Sequence, residues 1–346
     1  MRIAIVNDMP LAVEALRRIV LSVPGHSVAW VAGDGVAAIM RCATDTPDMI
    51  LMDLIMPVMD GVEATRRIMV KSPCAIIIVT ATVEGNSAKV VEALGAGALD
   101  AIQTPTLSAK DRLESPNSLL IKIDAVGNLI SGNKKRKGPG KFAWSHGGGL
   151  SQIENLVVIG ASAGGPSALA TVLKSLPRDF PSPIVIIQHI DAQFAPSMAD
   201  WLAEQSALTV RIAREHDKPE AGTVLIAGTN DHLVFLDSHT LGYTKEPRDS
   251  HYRPSVDVFF ESVVRHWEGN VIGVLLTGMG RDGAKGLKSL RDFGAFTITQ
   301  DAETCVVYGM PKAAVELGAA VEILPVQRIA SRLMSSLKSE NRRSCA

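Results

Sequence analysis

The clearest fold signal in this sequence is Leu156-Val-Val-Ile-Gly-Ala-Ser-Ala-Gly-Gly-Pro166, in which an apolar strand runs directly into a glycine-rich turn. The glycines permit positive φ angles and close backbone approach, and Pro166 suits the first turn of a following helix. A serine at such a strand-to-helix elbow is held exposed, as a nucleophile must be. Ser162 is therefore a candidate nucleophile, with an incidental serine in a tight turn as the alternative.

Two later segments have the same strand-then-loop pattern. Ile184–Ile190 is a buried-strand pattern that ends at His189, and Val271–Gly283 ends in a glycine-rich turn carrying Asp282. Ligands bind at this carboxyl edge of open α/β sheets. A serine needs a histidine to take its proton, and the histidine needs a carboxylate to orient it. We therefore predict acyl-transfer hydrolysis by Ser162, His189 and Asp282.

The first part of the chain alternates strand and helix patterns, which predicts a parallel sheet with helices on both faces. The C-terminal segments predict a second, doubly wound parallel sheet, so the fold class is α/β throughout. The predicted N-terminal strands lie near residues 2–7, 28–32, 49–53, 75–80 and 98–102, and the predicted helices near 10–22, 34–45, 60–70, 86–96 and 112–130.

Polar residues follow three of these N-terminal strands. Asp8 follows the first strand, Asp53 ends the third and Thr80 ends the fourth. Two carboxylates at one sheet edge suit Mg²⁺, which prefers a few oxygen ligands together with water and phosphate. A loop aspartate that caps a turn is the alternative for Asp53.

Composition and length favour a two-domain cytoplasmic protein. The chain has 346 residues, which predicts about two domains. Its net charge of −1 gives no general attraction to nucleic acid or membrane, and no apolar run reaches the roughly 18 residues of a membrane span. The opening Met1–Val6 predicts a strand and not a signal peptide. The cysteines have no metal-type or paired spacing and are predicted to be reduced thiols: Cys42, Cys74, Cys305 and Cys345.

A basic, glycine-rich stretch separates the two parts of the sequence. Residues 131–151 offer little that could form a core, which predicts a flexible linker. We therefore expect an N-terminal domain at 1–125, a linker at 126–151 and a catalytic domain at 152–346. The Lys134–Lys137 run is interpreted as solvated linker charge, with a docking patch for an acidic surface as the alternative.

The motifs around the three candidate catalytic residues closely resemble those of the CheB chemotaxis methylesterase family. The resemblance covers roughly residues 152–342. The matching segments are Gly160–Gly165, Gln188-His189, Tyr252–Asp257, Thr277–Ala284 and Gln300–Pro311.

This resemblance implies hydrolysis of glutamate γ-methyl esters, and deamidation of glutamines, on methyl-accepting chemotaxis receptors. It also implies that an unphosphorylated receiver blocks the catalytic face until a chemosensory histidine kinase phosphorylates it. No cofactor is expected for the esterase domain. Backbone amides near Ala163 and Met279 are candidates to hold the oxyanion. Family members have threonine where Ala163 stands, so a hydroxyl contact is lost there. We assign no role to His232, whose segment departs from the family's turn.

The segment Leu51–Gly61 resembles the phosphoacceptor loop of response-regulator receiver domains. This implies that Asp53 is phosphorylated, with Asp8, Asp53 and the Ile55 carbonyl as Mg²⁺ ligands. Thr80 would supply the hydroxyl that follows the phosphoryl group.

The receiver departs from its family at three positions: Asn7 replaces an acidic residue, Thr104 replaces a lysine and Ala101 replaces an aromatic residue. A neutral hydroxyl pairs with phosphoryl oxygens less strongly than an ammonium, so we expect weaker activation than in relatives with the lysine. The same substitutions resemble the methylesterase branch of Wsp-type surface-sensing pathways.

Two other functions fit parts of the sequence. One is a non-catalytic adaptor that docks on receptors. The other is a short-chain dehydrogenase, because Val158–Gly165 is similar to a dinucleotide-binding loop and Tyr308 and Lys312 have the Tyr-x-x-x-Lys spacing. Gly309 and Pro311 lie between that pair and disfavour the shared helix face that the spacing requires.

Overall fold

The structure is a computed structural model that describes residues 1–80, 86–104, 119–120, 123, 155–250 and 252–341. The chain divides into two compact units, Met1–Asn133 and Lys134–Ala346. The predicted linker at 126–151 lies outside the described residues. Of the predicted helix near 112–130, the structure describes residues 119, 120 and 123, which are helical.

Strand and helix alternate through the N-terminal unit. Its strands are β1 (Arg2–Val6), β2 (Ser27–Ala32), β3 (Met49–Met52), β4 (Ala75–Thr80) and β5 (Asp100–Gln103), and its helices are α1 (Pro10–Leu21), α2 (Gly35–Thr44), α3 (Gly61–Lys71) and α4 (Ser87–Gly95). The strands form one parallel sheet in the order β2-β1-β3-β4-β5. This confirms the predicted receiver-type α/β fold.

The central strands of this sheet contain continuous apolar runs because helices cover both faces. Ile3–Val6, Met49–Met52 and Ile76–Val79 are all fully buried. Side chains of Asp34 and Asp60 accept hydrogen bonds from the first turns of α2 and α3 and so fix where those helices begin. The loops at the carboxyl edge of the sheet are thereby held on a rigid frame.

The C-terminal unit contains a seven-stranded sheet and a two-stranded hairpin. Its strands are β6 (Asn155–Ala161), β7 (Ile184–Gln188), β8 (Thr209–Ile212), β9 (Thr223–Ile226), β10 (His232–Phe235), β11 (Leu241–Thr244), β12 (Asn270–Leu275), β13 (Phe296–Gln300) and β14 (Glu322–Leu324). Its helices are α5 (Gly165–Lys174), α6 (Ala195–Gln205), α7 (Val256–His266), α8 (Ala284–Asp292), α9 (Met310–Glu316) and α10 (Val326–Asn341).

The larger sheet is parallel and doubly wound, with the order β14-β13-β12-β6-β7-β9-β8. Strand β6 pairs with β7 on one side and with β12 on the other. The direction of winding therefore reverses between β6 and β12, and this switch point is where α/β sheets form ligand crevices. The loops after β6, β7 and β12 carry Ser162, His189 and Asp282.

Helix α7 and the hairpin close one face of this sheet. Phe259 and Phe260 on α7 are fully buried, and Phe235 of β10 stacks between Phe259 and Trp267, with ring centroids 6.0 and 5.5 Å apart. Removing one such aromatic side chain costs about 3–5 kcal/mol, so this cluster fixes α7 against the sheet. Across the described ranges, no helix combines the length and the apolar character needed to cross a membrane.

Candidate active site

Ser162 directly follows β6, at the turn that leads into α5. Its backbone N–H donates to the Thr277 carbonyl (3.0 Å), and its own carbonyl accepts from Gly165 N–H (2.7 Å). Gly164, the residue before α5, has φ +73°, which favours glycine. The side chain of Ser162 is largely buried, with the residue 9% exposed. The strand-to-helix elbow predicted from the sequence is therefore formed, but the expected exposure of Ser162 is wrong, because the neighbouring loops pack against the turn.

Close packing around this turn explains why it is rich in glycine. A Cβ on Gly164 would lie 2.6 Å from the Val306 side chain, and one on Gly278 would lie 2.8 Å from the Ser162 side chain. Real Cβ atoms do not approach so closely, so larger residues would push the turn out of place. The Gly278 segment, which leads to Met279, consequently lies directly beside the serine.

Gln188 connects the serine turn to the next strand. Its side-chain amide donates to the Ser162 carbonyl (2.9 Å) and to the His189 carbonyl (3.1 Å). The residue is buried, and its other amide atom lies against Gly165, where no side chain could fit. Gln188 therefore fixes the spacing between the loops that carry Ser162 and His189.

His189 and Asp282 form a close side-chain pair. His189 Nε2 lies 2.7 Å from Asp282 Oδ2, and the two side chains are 9% and 7% exposed. The other ring nitrogen, Nδ1, is buried and has no hydrogen-bond partner among the described residues. His189 N–H also donates to the Ala161 carbonyl (3.0 Å), which ties the histidine to the strand that precedes Ser162.

The carboxylate of Asp282 sits on the N-terminus of α7. It accepts hydrogen bonds from Ser255 Oγ (2.8 Å), Val256 N–H (2.6 Å) and Asp257 N–H (3.1 Å). Burial by itself raises the pKa of this carboxyl, but the His189 contact and the hydrogen bonds from Val256 and Ser255 outweigh it, so the pKa lies below its usual value. The positive end of the helix dipole acts in the same direction. Asp282 is thus held as an anion.

Three further residues around the pair were not identified as functional from the sequence. Tyr252 stacks flat on His189, with ring centroids 4.4 Å apart and planes 7° apart. His232 is fully buried and accepts the Ser255 N–H at Nδ1 (3.1 Å), while its Nε2 lies 3.2 Å from the Pro247 carbonyl. His232 therefore fixes the residue that caps α7 and contacts Asp282.

Asp257 is the third of these residues and lies in the first turn of α7. Its Oδ1 accepts from Gly286 N–H (2.7 Å). Burial, with the nearby Asp282 charge adding to it, raises the pKa of Asp257 to about 6. The motif Tyr252–Asp257 did match a family signature, but only the fold shows that its members surround the histidine–aspartate pair.

The predicted oxyanion donors lie on either side of the serine. Ala163 is adjacent in sequence and buried, and its carbonyl accepts from Thr277 Oγ1 (3.0 Å). Met279 follows Gly278, which packs on Ser162. Within residues 155–250 and 252–341, neither the Ala163 nor the Met279 N–H donates a hydrogen bond. Neither amide is therefore engaged by a carbonyl or side chain of these residues.

In the N-terminal unit, Asp53 is buried at the carboxyl end of β3 and is 7% exposed. Its carboxylate accepts from Asn7 Nδ2 (3.0 Å) and from Leu54 N–H (2.7 Å). Burial raises the pKa of Asp53 to about 6, and the negative charge of Asp8 adds to that rise. Asn7, which replaces an acidic residue, thus donates a hydrogen bond that a carboxylate could not.

The other predicted receiver residues lie at the same sheet edge. Thr80 is buried at the end of β4, and its carbonyl accepts from Thr104 N–H (2.8 Å). The Thr104 hydroxyl is buried and has no hydrogen-bond partner in the described part of the chain. Asp8 and Ile55 are exposed, and Ala101 is buried in β5.

The dehydrogenase arrangement predicted as an alternative does not form. Helix α9 begins at Met310, with Pro311 in its first turn and Gly309 as its N-cap. Tyr308 lies before the helix and Lys312 inside it, so they do not share a helix face. The proline between them is the physical reason, because it is tolerated at a helix start but not inside one.

The N-terminal unit has a receiver-type fold with a buried aspartate. The C-terminal unit is doubly wound and carries a serine, a histidine and an aspartate at one edge of its sheet. Together these features define a response regulator with a hydrolase domain. The family model described as CheB methylesterase matches residues 157–333, and the one described as response regulator receiver domain matches residues 3–114. The chain belongs to the CheB methylesterase family. The resemblance identified from the sequence is confirmed, and the narrower Wsp-type placement stays a prediction.

Similar proteins extend over nearly the whole chain. A protein-glutamate methylesterase/protein-glutamine glutaminase of Mesorhizobium japonicum is 54% identical over 338 residues, covering 97% of this chain and 98% of the relative. Protein-glutamate methylesterase/protein-glutamine glutaminase 3 of Pseudomonas aeruginosa is 55% identical over 333 residues, covering 96% and 98%. The crystal structure of the Thermotoga maritima CheB methylesterase catalytic domain matches 54% of this chain and 99% of that chain, with 36% identity and a TM-score of 0.51.

Proposed function

We propose that this protein is a receiver-regulated serine hydrolase that removes methyl groups from glutamate γ-esters and deamidates glutamines on methyl-accepting chemotaxis receptors. The observation that carries the proposal is the 2.7 Å contact between His189 and Asp282 beside the Ser162 turn. Family membership, and relatives named for both activities over almost their full length, support the substrate class.

The proposed reaction begins with the attack of Ser162 Oγ on the ester carbonyl. His189 accepts the serine proton at Nδ1, because its Nε2 is already engaged by Asp282. The tetrahedral intermediate places its negative oxygen between the N–H groups of Ala163 and Met279; losing one such donor costs about 10²–10³ in rate.

Collapse of this intermediate breaks the ester C–O bond. Methanol leaves with the proton held by His189, and an acyl-enzyme forms on Ser162. Water then attacks that acyl group and gives its proton to His189. The acyl–Oγ bond breaks, Ser162 recovers the proton from His189, and a free glutamate is released. With a glutamine side chain the leaving group is ammonia, and the same two steps give the same product.

Asp282 serves this cycle by remaining charged. It orients the imidazole and stabilises the imidazolium that forms when His189 takes a proton. Its low pKa, the result of the His189 contact and the helix-end hydrogen bonds outweighing burial, keeps it ionised at neutral pH.

The receiver unit is proposed to be phosphorylated on Asp53 by a chemosensory histidine kinase. Receiver domains bind Mg²⁺ in general, and we propose Asp8, Asp53 and the Ile55 carbonyl as the ligands here. The residues fit: two carboxylates lie close enough that the charge of Asp8 raises the pKa of Asp53, an arrangement that a cation would relieve. Within the described residues, no three His, Cys, Asp or Glu side chains are placed to hold a metal ion together. We therefore propose that the Ile55 carbonyl and water complete the set.

When bound, Mg²⁺ neutralises charge on the transferring phosphoryl group. Thr80 is proposed to contact that group through its hydroxyl, and Thr104 occupies the position from which a lysine would pair with it. We further propose domain limits of 1–125 and 152–346 with a linker at 126–151, and a cytoplasmic location alongside the kinase.

The test is methanol release from a methylated receptor cytoplasmic fragment by the full chain. Release by the wild type that disappears in Ser162→Ala supports the serine esterase. Ser175→Ala, an exposed serine at the end of α5, is the matched control and should keep full activity. Equal release by wild type and Ser162→Ala would refute the mechanism. No release by the wild type, even from the isolated 152–346 fragment, would favour the adaptor, for which Ser162→Ala retains function in vivo.

A further inference from the structure

Tyr252 stacks on His189 and has no part in the proposed reaction. The two rings lie almost parallel, 7° apart, with centroids separated by 4.4 Å. Tyr252 comes from the segment just before α7, whereas His189 follows β7. The contact therefore joins two elements that are distant in the sequence.

The far end of the tyrosine ring rests on a third element. A Cβ at Gly280 would overlap the Tyr252 hydroxyl, and Gly280 has φ +84°, so both the contact and the backbone favour glycine there. Gly280 lies between Met279 and Asp282. Tyr252 thus spans from the His189 ring to the loop that carries the catalytic aspartate.

The hydrogen bonds of His189 leave its ring incompletely fixed. Asp282 engages Nε2, and Nδ1 has no partner among the described residues. One hydrogen bond fixes the position of one ring atom but not the tilt of the ring plane. The direction in which Nδ1 points therefore depends on the surface against which the ring lies, and Tyr252 provides that surface.

The chemistry of Tyr252 favours a role through its ring and not through proton transfer. Burial, with the charge of Asp282 adding to it, raises the pKa of its phenol above the ordinary value, so the hydroxyl stays neutral at physiological pH. The face of an aromatic ring attracts cations. The same stack that fixes a neutral imidazole therefore also favours the imidazolium formed after serine attack.

We propose that Tyr252 is a positioning residue for His189, holding the imidazole plane so that Nδ1 faces Ser162 while Nε2 keeps its contact with Asp282. This inference rests on the proposed function, because it assigns Tyr252 a role only through the histidine that takes the serine proton. The aromatic ring is the required part, and the hydroxyl is dispensable.

The experiment is a double-mutant cycle in the full chain, with Tyr252→Leu and His189→Ala made singly and together. Methanol release gives kcat and KM, and the rate of Ser162 labelling by a fluorophosphonate gives a second readout that needs no receptor. We expect Tyr252→Leu to lower kcat and labelling by about 10–100-fold with little change in KM, because small misplacements of a catalytic group have effects of this size. In the His189→Ala background the same change should have no further effect.

Further variants separate a positioning role from a general loss of structure. Tyr252→Phe keeps the ring, and its kcat and labelling rate should stay within about 2-fold of wild type. If the Tyr252→Leu variant does not fold, Tyr252→Gln takes its place. Tyr243→Phe removes a partly buried hydroxyl that donates to the Ala213 carbonyl (2.9 Å) and accepts from Gly228 N–H, and should lower stability without changing kcat.

The outcomes distinguish this inference from the proposed function. Effects of Tyr252→Leu and His189→Ala that multiply in the double variant would overturn the positioning role, as would a Tyr252→Phe variant as slow as Tyr252→Leu. A His189→Ala variant that is as active as the wild type would instead refute the proposed function.

Discussion

Replacing Asp282 with asparagine tests the site most directly, because every group around this carboxylate is a donor. Oδ1 accepts from Ser255 Oγ and Asp257 N–H, and Oδ2 accepts from Val256 N–H and faces His189 Nε2. An asparagine NH₂ placed at either oxygen position meets at least one backbone N–H. That buried N–H loses its partner, which costs about 1–3 kcal/mol.

The larger effect is on the reaction. An asparagine that turns its NH₂ toward His189 forces the ring to accept at Nε2 and carry its proton on Nδ1, the atom that must take the serine proton. The negative charge that stabilises the imidazolium is also lost. The same exchange in serine hydrolases lowers kcat by about 10⁴, which corresponds to about 5.5 kcal/mol of activation free energy. We expect a loss of about 10³–10⁴ in kcat for Asp282→Asn.

The assay is methanol release with kcat and KM determined separately, combined with thermal unfolding. Asp292→Asn, an exposed aspartate at the end of α8, is the matched control and should leave both unchanged. A folded Asp282→Asn variant that loses less than 10-fold in kcat would refute the role assigned to the histidine–aspartate pair.

Three other predictions concern Asp257, Gly164 and Thr104. Asp257 has a pKa raised to about 6, against an unfolded value near 3.8, so the protonated form that stabilises the fold is lost as pH rises through about 6. We expect Asp257→Asn to be more stable than wild type by about 2 kcal/mol at pH 8 and to show no such gain at pH 4. Equal unfolding curves at pH 8 would contradict this. Gly164→Ala should lower the free energy of unfolding more than Gly222→Ala does. Both glycines have φ above +70°, but only a Cβ at Gly164 would press on Val306. Equal losses of unfolding free energy would show that backbone strain alone matters. Thr104→Lys should raise the activation of methanol release by a small-molecule phosphodonor, since an ammonium pairs with phosphoryl oxygens more strongly than a hydroxyl; an unchanged or smaller activation ratio would refute this.

The sequence was sufficient to predict the framework and the residues that follow buried strands. Ser162, His189 and Asp282 were predictable because parallel strands that end in polar loops bring those loops to one edge, and the observed strand order does so. The N-terminal strands were predictable for the same reason, since their uninterrupted apolar runs mark strands covered on both faces.

The residues that surround the histidine–aspartate pair could not be predicted in the same way. Tyr252, Ser255 and His232 lie before α7 or in the hairpin, and only the packing of α7 on the sheet brings them to Asp282. Local patterns do not encode such distant contacts. In the receiver unit, Asn7 was interpreted as the loss of a carboxylate, whereas the structure shows that its amide donates to Asp53.

The pairing of β6 with β12 has a consequence for how this enzyme matures. Asn155 and Asn270, which begin the paired segments, are 115 residues apart in sequence, yet their strands are neighbours at the centre of the sheet. Contacts between such distant segments form slowly, because a long loop must close first. A nascent or truncated chain that ends before β12 has the serine and the histidine but lacks both a central strand and the aspartate. Fluorophosphonate labelling of Ser162 would therefore report completion of the C-terminal fold during synthesis, ahead of any assay that needs a receptor.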